Sequence, residues 1–340
     1  MAHPVSLETE AAETPVVAQQ QIERAGPIFQ KLGEQIRAFS PHFVVTCARG
    51  SSDHASTYGK YLIETQVGKA VASIGPSIAS VYDTALDLTG ALFIVVSQSG
   101  KSPDILKLTA RAREAGALTV GFINDENSPL FQSCDIAVPL CAGKEQSVAA
   151  TKSYILSAFA YLQLVAYWKQ DKALLHTVHQ APDLFAKACQ LDWRKPLLQL
   201  EHDSNMFTIG RGLGLGLATE VALKMKEVCG LHAEAFSSAE VIHGPLALAR
   251  PGFSTLVFGQ KDEAETSLLE TEQRFLKTGA KILSTLPVDG AIPLPALHEN
   301  ALLEPLCQAL SFYSAISSLA RKRGLDPEKP PHLSKITETV

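Results

Sequence analysis

A cluster of small polar side chains follows an apolar run in the segment VVSQSGKSPD. Its donors are the side chains of Ser97, Gln98, Ser99 and Ser102. Pro103 suits the first turn of a helix, so a helix is expected to begin directly after these donors. The first turn of a helix presents unpaired N–H groups and the positive end of the helix dipole, which favour an oxyanion. The segment therefore predicts an anion site.

Two other interpretations of this segment use the same residues. Gly100, Lys101 and Ser102 resemble the end of an ATP-type phosphate loop, but that motif needs a glycine five positions earlier, where Val95 stands. An ordinary N-capping turn with spare serines would need no ligand, because serine favours caps and turns. The first alternative fails on spacing, and the second stays open from the loop alone.

Two further polar turns precede predicted helices. The segment ARGSSDHAS offers Gly50, Ser51 and Ser52 after an apolar run, and GKEQSVAATKSY offers Ser147 and Thr151. The adjacent Ser-Asp-His of the first turn is not expected to form a hydrolase triad, because neighbouring residues at a helix start point in different directions.

Candidate acid–base residues lie in the segment LATEVALKMKEVCGLHAEAFSSAEVIHGPLAL. On a helix, Glu220, Lys224 and Glu227 are spaced i, i+4 and i+7, so they form one polar stripe in an otherwise apolar segment. A solvated Glu–Lys pair fits the same spacing. His243, which precedes a Gly-Pro pair, is equally ambiguous, because most loop histidines do no chemistry. Spacing alone does not decide between these interpretations.

Composition limits the class of protein. The chain has 340 residues, 46% hydrophobic and 19% charged, and a net charge of −5, which gives no reason to expect nucleic acid as a partner. Its six cysteines show no metal-type spacing, and no metal is expected. The acidic, polar N-terminus is not expected to be a signal peptide, and no apolar run is long enough to predict a membrane-spanning helix. We expect a soluble cytoplasmic protein without membrane partners.

An internal repeat organises the chain. Arg49-Gly50 and Arg211-Gly212 lie 162 positions apart, each between an apolar run and a predicted helix, and Gln98 and Gln260 keep the same separation. In the second half, the loop GQKDEAE replaces the hydroxyls with charged side chains whose carboxylates would repel an anion. We therefore expect two homologous halves, of which the first binds phosphate.

Short apolar runs alternate with helix-patterned stretches in both halves, as in βαβ units. The expected strands are FVVTC, ALFIVVS, LTVGFIN and DIAVPL in the first half, and MFTIG, STLVFG and AKILSTL in the second. The fold class is therefore α/β, with two tandem doubly wound parallel-sheet subdomains related by internal duplication. The expected domains are a helical lead-in (1–40), subdomain 1 (41–192), subdomain 2 (204–324) and a C-terminal tail (325–340).

Several blocks occur together in the order and spacing of a known family. They are ARGSSDHA, SQSGKSPD, SVAATK, ALKMKEVCGLHAEAF, AEVIHGPLAL and PPHLSKITETV. The sequence from about residue 40 resembles the isomerase half of glucosamine-6-phosphate synthases, which belongs to the double SIS (sugar isomerase) family with flavodoxin-like sheets. The amidotransferase half of those synthases has no match here, so the chain is most similar to free-standing glucosamine-6-phosphate deaminases of the SIS type.

The resemblance implies a role for each matching residue. The positions that match phosphate and sugar contacts are Gly50, Ser51, Ser52, Ser97, Gln98, Ser99, Ser102, Val148 and Thr151. Glu227 matches the enolisation base and Lys224 its neighbour. His243 matches a ring-opening histidine donated across a homodimer, and Lys335 matches a tail lysine that meets the open-chain sugar. Asp53 departs from the synthases, which carry tyrosine there.

The resemblance implies deamination of glucosamine 6-phosphate to fructose 6-phosphate and ammonia, without metal or organic cofactor. With no amidotransferase half to supply ammonia, the catabolic direction is expected. The alternatives are another phosphosugar isomerase, a galactosamine-6-phosphate deaminase, a sugar-amine deglycase, or a non-catalytic phosphosugar sensor. The expected partner is a small phosphosugar, and the expected assembly is a homodimer with shared active sites.

Overall fold

The computed structural model describes residues 6–335, so the ends of the predicted lead-in and tail, 1–5 and 336–340, lie outside the described residues. The described chain forms two compact units, each with its own sheet. The first-sheet unit comprises Thr14–Glu145, Lys152–Pro182, Ser334 and Lys335. The second-sheet unit comprises 6–13, Gln146–Thr151 and Asp183–Leu333. The domain boundaries expected from the sequence stay a prediction.

Strands and helices alternate along the chain. The strands are β1 (Phe43–Cys47), β2 (Val71–Ser73), β3 (Ala91–Ser97), β4 (Leu118–Ile123), β5 (Ile136–Pro139), β6 (Asn205–Gly210), β7 (His232–Ser237), β8 (Ser254–Val257), β9 (Lys281–Ser284) and β10 (Ile292–Pro293). The helices are α1 (Leu7–Ala12), α2 (Thr14–Phe39), α3 (Ser51–Val67), α4 (Ser77–Ser80), α5 (Pro103–Glu114), α6 (Pro129–Ser133), α7 (Lys152–Lys169), α8 (Lys172–Ala188), α9 (Arg194–Leu197), α10 (Gly214–Cys229), α11 (Ser238–Val241), α12 (Glu265–Lys277) and α13 (Glu304–Lys322). Short 3₁₀ turns cover Leu198–Leu200 and Pro245–Leu248.

The first sheet has the strand order β2-β1-β3-β4-β5, and all its pairs are parallel. The strand order reverses between β1 and β3, where Cys47 pairs with Val95 near the ends of both strands. Open α/β sheets bind ligands beyond the carboxyl ends of their strands at such a reversal. The loops that follow β1 and β3 therefore leave the sheet side by side, at the edge where a ligand is expected.

The second sheet repeats this arrangement. Read from its other edge, its order is β7-β6-β8-β9-β10, again with parallel pairs only. The expected fold class of two doubly wound parallel-sheet subdomains is therefore confirmed, and the matching strand orders agree with internal duplication. All seven strands expected from apolar runs are present, although β6 begins one residue earlier and β4, β5, β8 and β9 are shorter than the runs.

Burial explains why these runs form strands. All seven residues of β3 are buried, as expected for a central parallel strand covered by helices on both faces. The core of this unit includes Val45, Phe93 and Val95 together with Leu108 of α5. The second unit has its own core, in which Phe207, Val257 and Ile282 pack with Phe275 of α12. Two separate cores support the two sheets.

The helix α3 packs closely against α7. A Cβ atom on Gly59 would lie 2.4 Å from ring carbons of Tyr161, so only glycine lets α3 approach α7 this closely. The Tyr161 hydroxyl donates to Ser56 Oγ at 3.0 Å in the same contact. The helix α3, whose first turn carries Ser51 and Ser52, is thereby held against α7.

Candidate active site

The loop between β3 and α5 is held by its own residues in the shape of a tight turn. The Gly100 N–H donates to Ser97 Oγ at 2.9 Å, and the Gly100 carbonyl accepts from Leu130 N at 3.2 Å. Gly100 has φ +63°, and a Cβ there would lie 2.1 Å from Ser128 Oγ. No other residue fits this position without moving the turn. Glycine is therefore required where the loop reverses.

The start of α5 agrees with the sequence prediction. Pro103 occupies its first turn and Ser102 its N-cap position, but the Ser102 hydroxyl makes no capping hydrogen bond. Ser99 Oγ accepts only a long 3.4 Å bond, from Lys101 N, among the bonds of the described residues. Gln98 and Ser99 are half-buried. The hydroxyls therefore do not serve mainly to cap the helix, which weakens the capping alternative and leaves donors that a ligand can use.

The loop after β1 adds a second helix start to this sheet edge. Gly50, with φ +54°, is the N-cap of α3, and its carbonyl accepts from Asp53 N at 2.9 Å. Ser51 and Ser52, the next two residues, are half-buried. Burial raises the pKa of Asp53, whose carboxylate lies 3.5 Å from the Ser73 hydroxyl at the end of β2. Asp53 thus contacts the end of β2.

An ion pair joins the two loops. Arg49, directly after β1, donates through Nε to Asp104 Oδ2 at 2.9 Å, and its Nη2 contacts the same oxygen. The Asp104 side chain is fully buried, whereas 46% of the Arg49 side chain is exposed. Sequence reasoning missed this pair because the two residues are far apart in the chain.

In the second half of the duplication, a side chain of the protein itself covers the start of the helix α10. Gln260, which is 1% exposed, donates through Nε2 to the Arg211 carbonyl at 2.8 Å and to Asp262 Oδ2 at 3.0 Å. A Cβ on Gly214, the first residue of α10, would lie 2.5 Å from Gln260 Oε1. The protein's own amide therefore covers the start of α10, which supports the expectation that only the first half binds phosphate.

The predicted acid–base stripe lies on α10 in the second-sheet unit. Lys224 Nζ is 2.5 Å from Glu227 Oε2 and 3.4 Å from Glu220 Oε1. Lys224 and Glu220 are buried, and 21% of the Glu227 side chain is exposed. Tyr313 of α13 donates its hydroxyl to Glu220 Oε1 at 2.8 Å. The solvated-pair interpretation is therefore wrong for Lys224 and Glu220: a buried network presents one partly exposed carboxylate, that of Glu227.

His243 follows α11 and is exposed. Its N–H donates to the Glu240 carbonyl at 3.0 Å, and the next residue, Gly244, has φ +155°.

The turn Gln146–Thr151, which contains Val148, is held by carboxylates: Glu10 accepts from Ser147 N at 3.1 Å, and Glu328 accepts from Ser147 Oγ at 2.8 Å. Thr151 is fully buried.

Lys335 is paired with a residue that sequence reasoning did not single out. Its Nζ donates to Glu145 Oε2 at 2.9 Å, and the Glu145 side chain is fully buried. Ser153 at the start of α7 donates its hydroxyl to the same oxygen at 2.6 Å and its N–H to the other at 3.2 Å. Glu145 lies in the polar segment GKEQSVAATKSY, but its partner Lys335 is 190 positions further along the chain, so the sequence did not indicate the pair.

The structure thus groups the predicted residues in part. It brings the donors of the β3–α5 loop together, and it pairs Lys224 with Glu227.

Among residues 6–335 no group of three or more His, Cys, Asp or Glu side chains could hold a metal ion. No helix in that range has the length and apolar character needed to cross a bilayer.

Comparisons with known proteins agree with this architecture. A family model described as the SIS domain matches residues 40–167 and 199–285. The glutamine–fructose-6-phosphate aminotransferase (isomerizing) of Aeropyrum pernix is 32% identical over 310 residues, covering 86% of this chain and 50% of that protein. This chain spans about half the length of the curated relatives it matches.

Solved structures share the fold along nearly the whole chain. A proposed phosphosugar isomerase from Silicibacter pomeroyi DSS-3 superposes with a TM-score of 0.90 and 41% identity, covering 94% of this chain and 99% of that one. The glucosamine-6-phosphate deaminase of Thermotoga maritima shares the fold at a TM-score of 0.69 and 22% identity, covering 95% and 100%. Since the family model matches more than half of its residues, the chain belongs to the SIS domain family.

Proposed function

We propose that the protein is an enzyme that converts glucosamine 6-phosphate and water to fructose 6-phosphate and ammonia. The observation that carries the proposal is the pairing of a partly exposed carboxylate, Glu227, with the buried ammonium of Lys224 at 2.5 Å. An aldose–ketose conversion needs a base that removes a proton from one carbon and returns it to the next. A carboxylate fixed by a buried cation and open to solvent on one side suits that task.

The phosphate of the substrate is assigned to the β3–α5 loop. Ser97, Gln98, Ser99 and Ser102 offer donors beside the first turn of α5, whose dipole favours an anion. The turn at Gly50, Ser51 and Ser52 leaves the same sheet edge, as the Cys47–Val95 register requires. Binding energy from the phosphate, which does not react, then orients carbons 1 and 2.

The chemistry uses few groups. His243 passes a proton during ring opening, and the free aldehyde makes the hydrogen on carbon 2 acidic. Glu227 takes that proton and delivers it to carbon 1 through an enolamine, while Lys224 stabilises the developing oxyanion. Water adds to the resulting ketimine at carbon 2, and the carbon–nitrogen bond breaks to release ammonia. Lys335 assists electrostatically at the open-chain sugar. The reaction consumes one water and needs no oxidant or reductant.

Relatives favour an amino-sugar phosphate as substrate. Matching proteins carry the names glutamine–fructose-6-phosphate aminotransferase, phosphosugar isomerase and glucosamine-6-phosphate deaminase. The first and last names share a hexose 6-phosphate whose carbon 2 carries either nitrogen or oxygen. This common chemistry supports glucosamine 6-phosphate ahead of a sugar without nitrogen.

Assembly and location form part of the proposal. His243 is exposed on a turn, so it suits a role in the active site of a second copy, and we propose a homodimer with shared sites. All six cysteines are free thiols, which is typical of a reducing compartment, and we propose a cytoplasmic location.

The test mixes purified protein with glucosamine 6-phosphate, galactosamine 6-phosphate, a nitrogen-free aldose 6-phosphate and a 6-phosphorylated sugar–amino acid adduct. Ammonia and fructose 6-phosphate should form together from the first. The Glu227→Gln variant should abolish this activity, and Lys226→Met, on the same helix but exposed, should retain it. A protein that binds glucosamine 6-phosphate without releasing ammonia would instead be a sensor, and turnover of another sugar only would reassign the substrate.

A further inference from the structure

The ion pair between Arg49 and Asp104 lies inside the proposed phosphate-binding region. Asp104 is the second residue of α5, two positions after Ser102, and its Oδ1 accepts from Ile105 N at 2.8 Å. Arg49 directly precedes Gly50, the N-cap of α3. The pair therefore connects the two loops that leave the carboxyl ends of β1 and β3.

The position of Asp104 raises an electrostatic problem. A carboxylate in the first turn of α5 interacts well with the helix dipole, but it also repels a phosphate dianion bound at the same turn. The Asp104 side chain is fully buried, so water screens its charge weakly. A phosphate site here works only if a cation offsets that charge.

We propose that Arg49 is a positioning residue that offsets the Asp104 charge and locks the β1–α3 and β3–α5 loops into one phosphate-binding surface. This inference rests on the proposed function. The guanidinium donates two N–H groups to one carboxylate oxygen, which fixes its plane. Because 46% of the Arg49 side chain is exposed, part of its positive charge is accessible to an anion.

The duplicated half supplies an internal comparison. Arg211 occupies the position that matches Arg49, yet within residues 6–335 it forms no ion pair, and Gln260 bonds to its carbonyl instead. The second half, in which the Gln260 side chain covers the start of α10, thus lacks this ion pair. The first half, which carries the hydroxyl loop between β3 and α5, has the ion pair of Arg49 with Asp104. The ion pair accompanies the loop chemistry that binds an anion, and the sheet alone does not require it.

The test compares Arg49→Met, Arg49→Met/Asp104→Asn and Arg113→Met with the wild-type protein. Arg113 pairs with Asp135 at 2.8 Å and lies at the other end of α5, so its variant removes a comparable ion pair away from the loop. Calorimetry measures binding of glucosamine 6-phosphate and of inorganic phosphate, and kinetics measures kcat and KM separately. Melting temperatures check that each variant is folded.

We expect Arg49→Met to weaken binding of both ligands about tenfold and to raise KM more than it lowers kcat. The double variant, which removes both charges, should recover most of the lost affinity, and Arg113→Met should bind as the wild type does. Unchanged binding in Arg49→Met, or a folded double variant as weak as the single one, would overturn the inference.

The same data separate this inference from the proposed function. If the wild type binds phosphate esters but releases no ammonia, the proposed function is wrong and the binding series still decides the role of Arg49. If the wild type turns over glucosamine 6-phosphate and Arg49→Met binds it equally well, only the inference fails. A wild type that binds neither phosphate ester nor phosphate would overturn both.

Discussion

The ammonium nitrogen of Lys224 lies 2.5 Å from a carboxylate oxygen of Glu227, one turn further along α10. Lys224 itself is buried, so its charge is offset by carboxylates and little by water. Glu220 provides the second carboxylate and is anchored by the Tyr313 hydroxyl. The network orients Glu227 and leaves part of it accessible to a substrate.

Replacing Lys224 with methionine should lower kcat by about 100-fold, because the reacting oxyanion loses its nearest cation. KM should change less, since the phosphate is assigned to other residues. The variant should also melt earlier, because the buried Glu220 carboxylate loses a partner. Adding Glu220→Gln should restore stability without restoring kcat. A Lys224→Met enzyme with wild-type kcat would contradict the assignment.

Gly100→Ala should distort the β3–α5 loop. The alanine Cβ would meet Ser128, and the φ of +63° adds backbone strain of about 1–3 kcal/mol. We expect a raised KM for phosphosugars and a lower melting temperature. Gly68→Ala is the control, because Gly68 has φ +73° but nothing within 4 Å of its Cβ position. It should lose stability and keep its KM. Equal KM values in the two variants would show that the loop geometry is not needed for binding.

Glu272 should make stability depend on pH. Its side chain is fully buried on α12 and accepts a 2.7 Å hydrogen bond from Ser284, and burial raises its pKa from 4.5 to about 7. Because the folded pKa exceeds the unfolded one, the folded state is favoured at low pH, and this contribution is lost as pH rises from 4.5 through 7. The loss amounts to about 3 kcal/mol.

The Glu272→Gln variant tests this dependence. Glutamine carries no charge at any pH, so the variant does not lose stability when Glu272 of the wild type ionises. The melting temperature of the variant relative to that of the wild type should therefore rise between pH 5 and pH 8. The variant keeps an oxygen that can accept from Ser284, and Glu270→Gln on the same helix is a control for the lost charge. Parallel pH profiles for the wild type and Glu272→Gln would contradict a raised pKa for this carboxyl group.

Subunits with different defects should complement each other if the histidine acts across a dimer. Glu227→Gln and His243→Ala homodimers should each be inactive. After mixing and subunit exchange, each mixed dimer contains one site with both native residues and one site with neither, so about half of the wild-type activity should return per mixed dimer. Mass measurement of the exchanged dimers serves as the control. Exchange without regained activity would show that each site uses its own His243.

Much of the fold could be predicted from local patterns. The runs FVVTC and ALFIVVS match β1 and β3 residue for residue, because central parallel strands are apolar along their whole length. The apolar runs did not predict β2, β7 and β10. These strands lie at sheet edges, and they are short or carry polar residues such as His232 and Glu234 on an exposed side. Edge strands lack the continuous apolar signal because only part of each is buried.

The candidate site was predictable to a smaller extent. The hydroxyl loop and the α10 stripe are visible as residue types at fixed spacing, since both are short segments of one loop or one helix. The ion pair of Arg49 with Asp104 and that of Lys335 with Glu145 were not visible, because each joins residues more than fifty positions apart. Spacing along a chain carries no information about such partners.

Sequence was sufficient to establish the α/β class, the duplication and the identity of the polar loops, because periodicity and repeats are properties of neighbouring residues. Burial and pairing had to come from the packed chain. By their spacing alone, Lys224 and Glu220 fit a solvated pair as well as a buried one. In the folded chain both are buried, and Tyr313 of α13 donates to Glu220. Gln98 and Gln260 match in sequence, yet Gln260 is 1% exposed and covers a helix start while Gln98 is half-buried. The surroundings of a side chain, set by distant segments that pack on it, determine its charge partners and its access to a ligand.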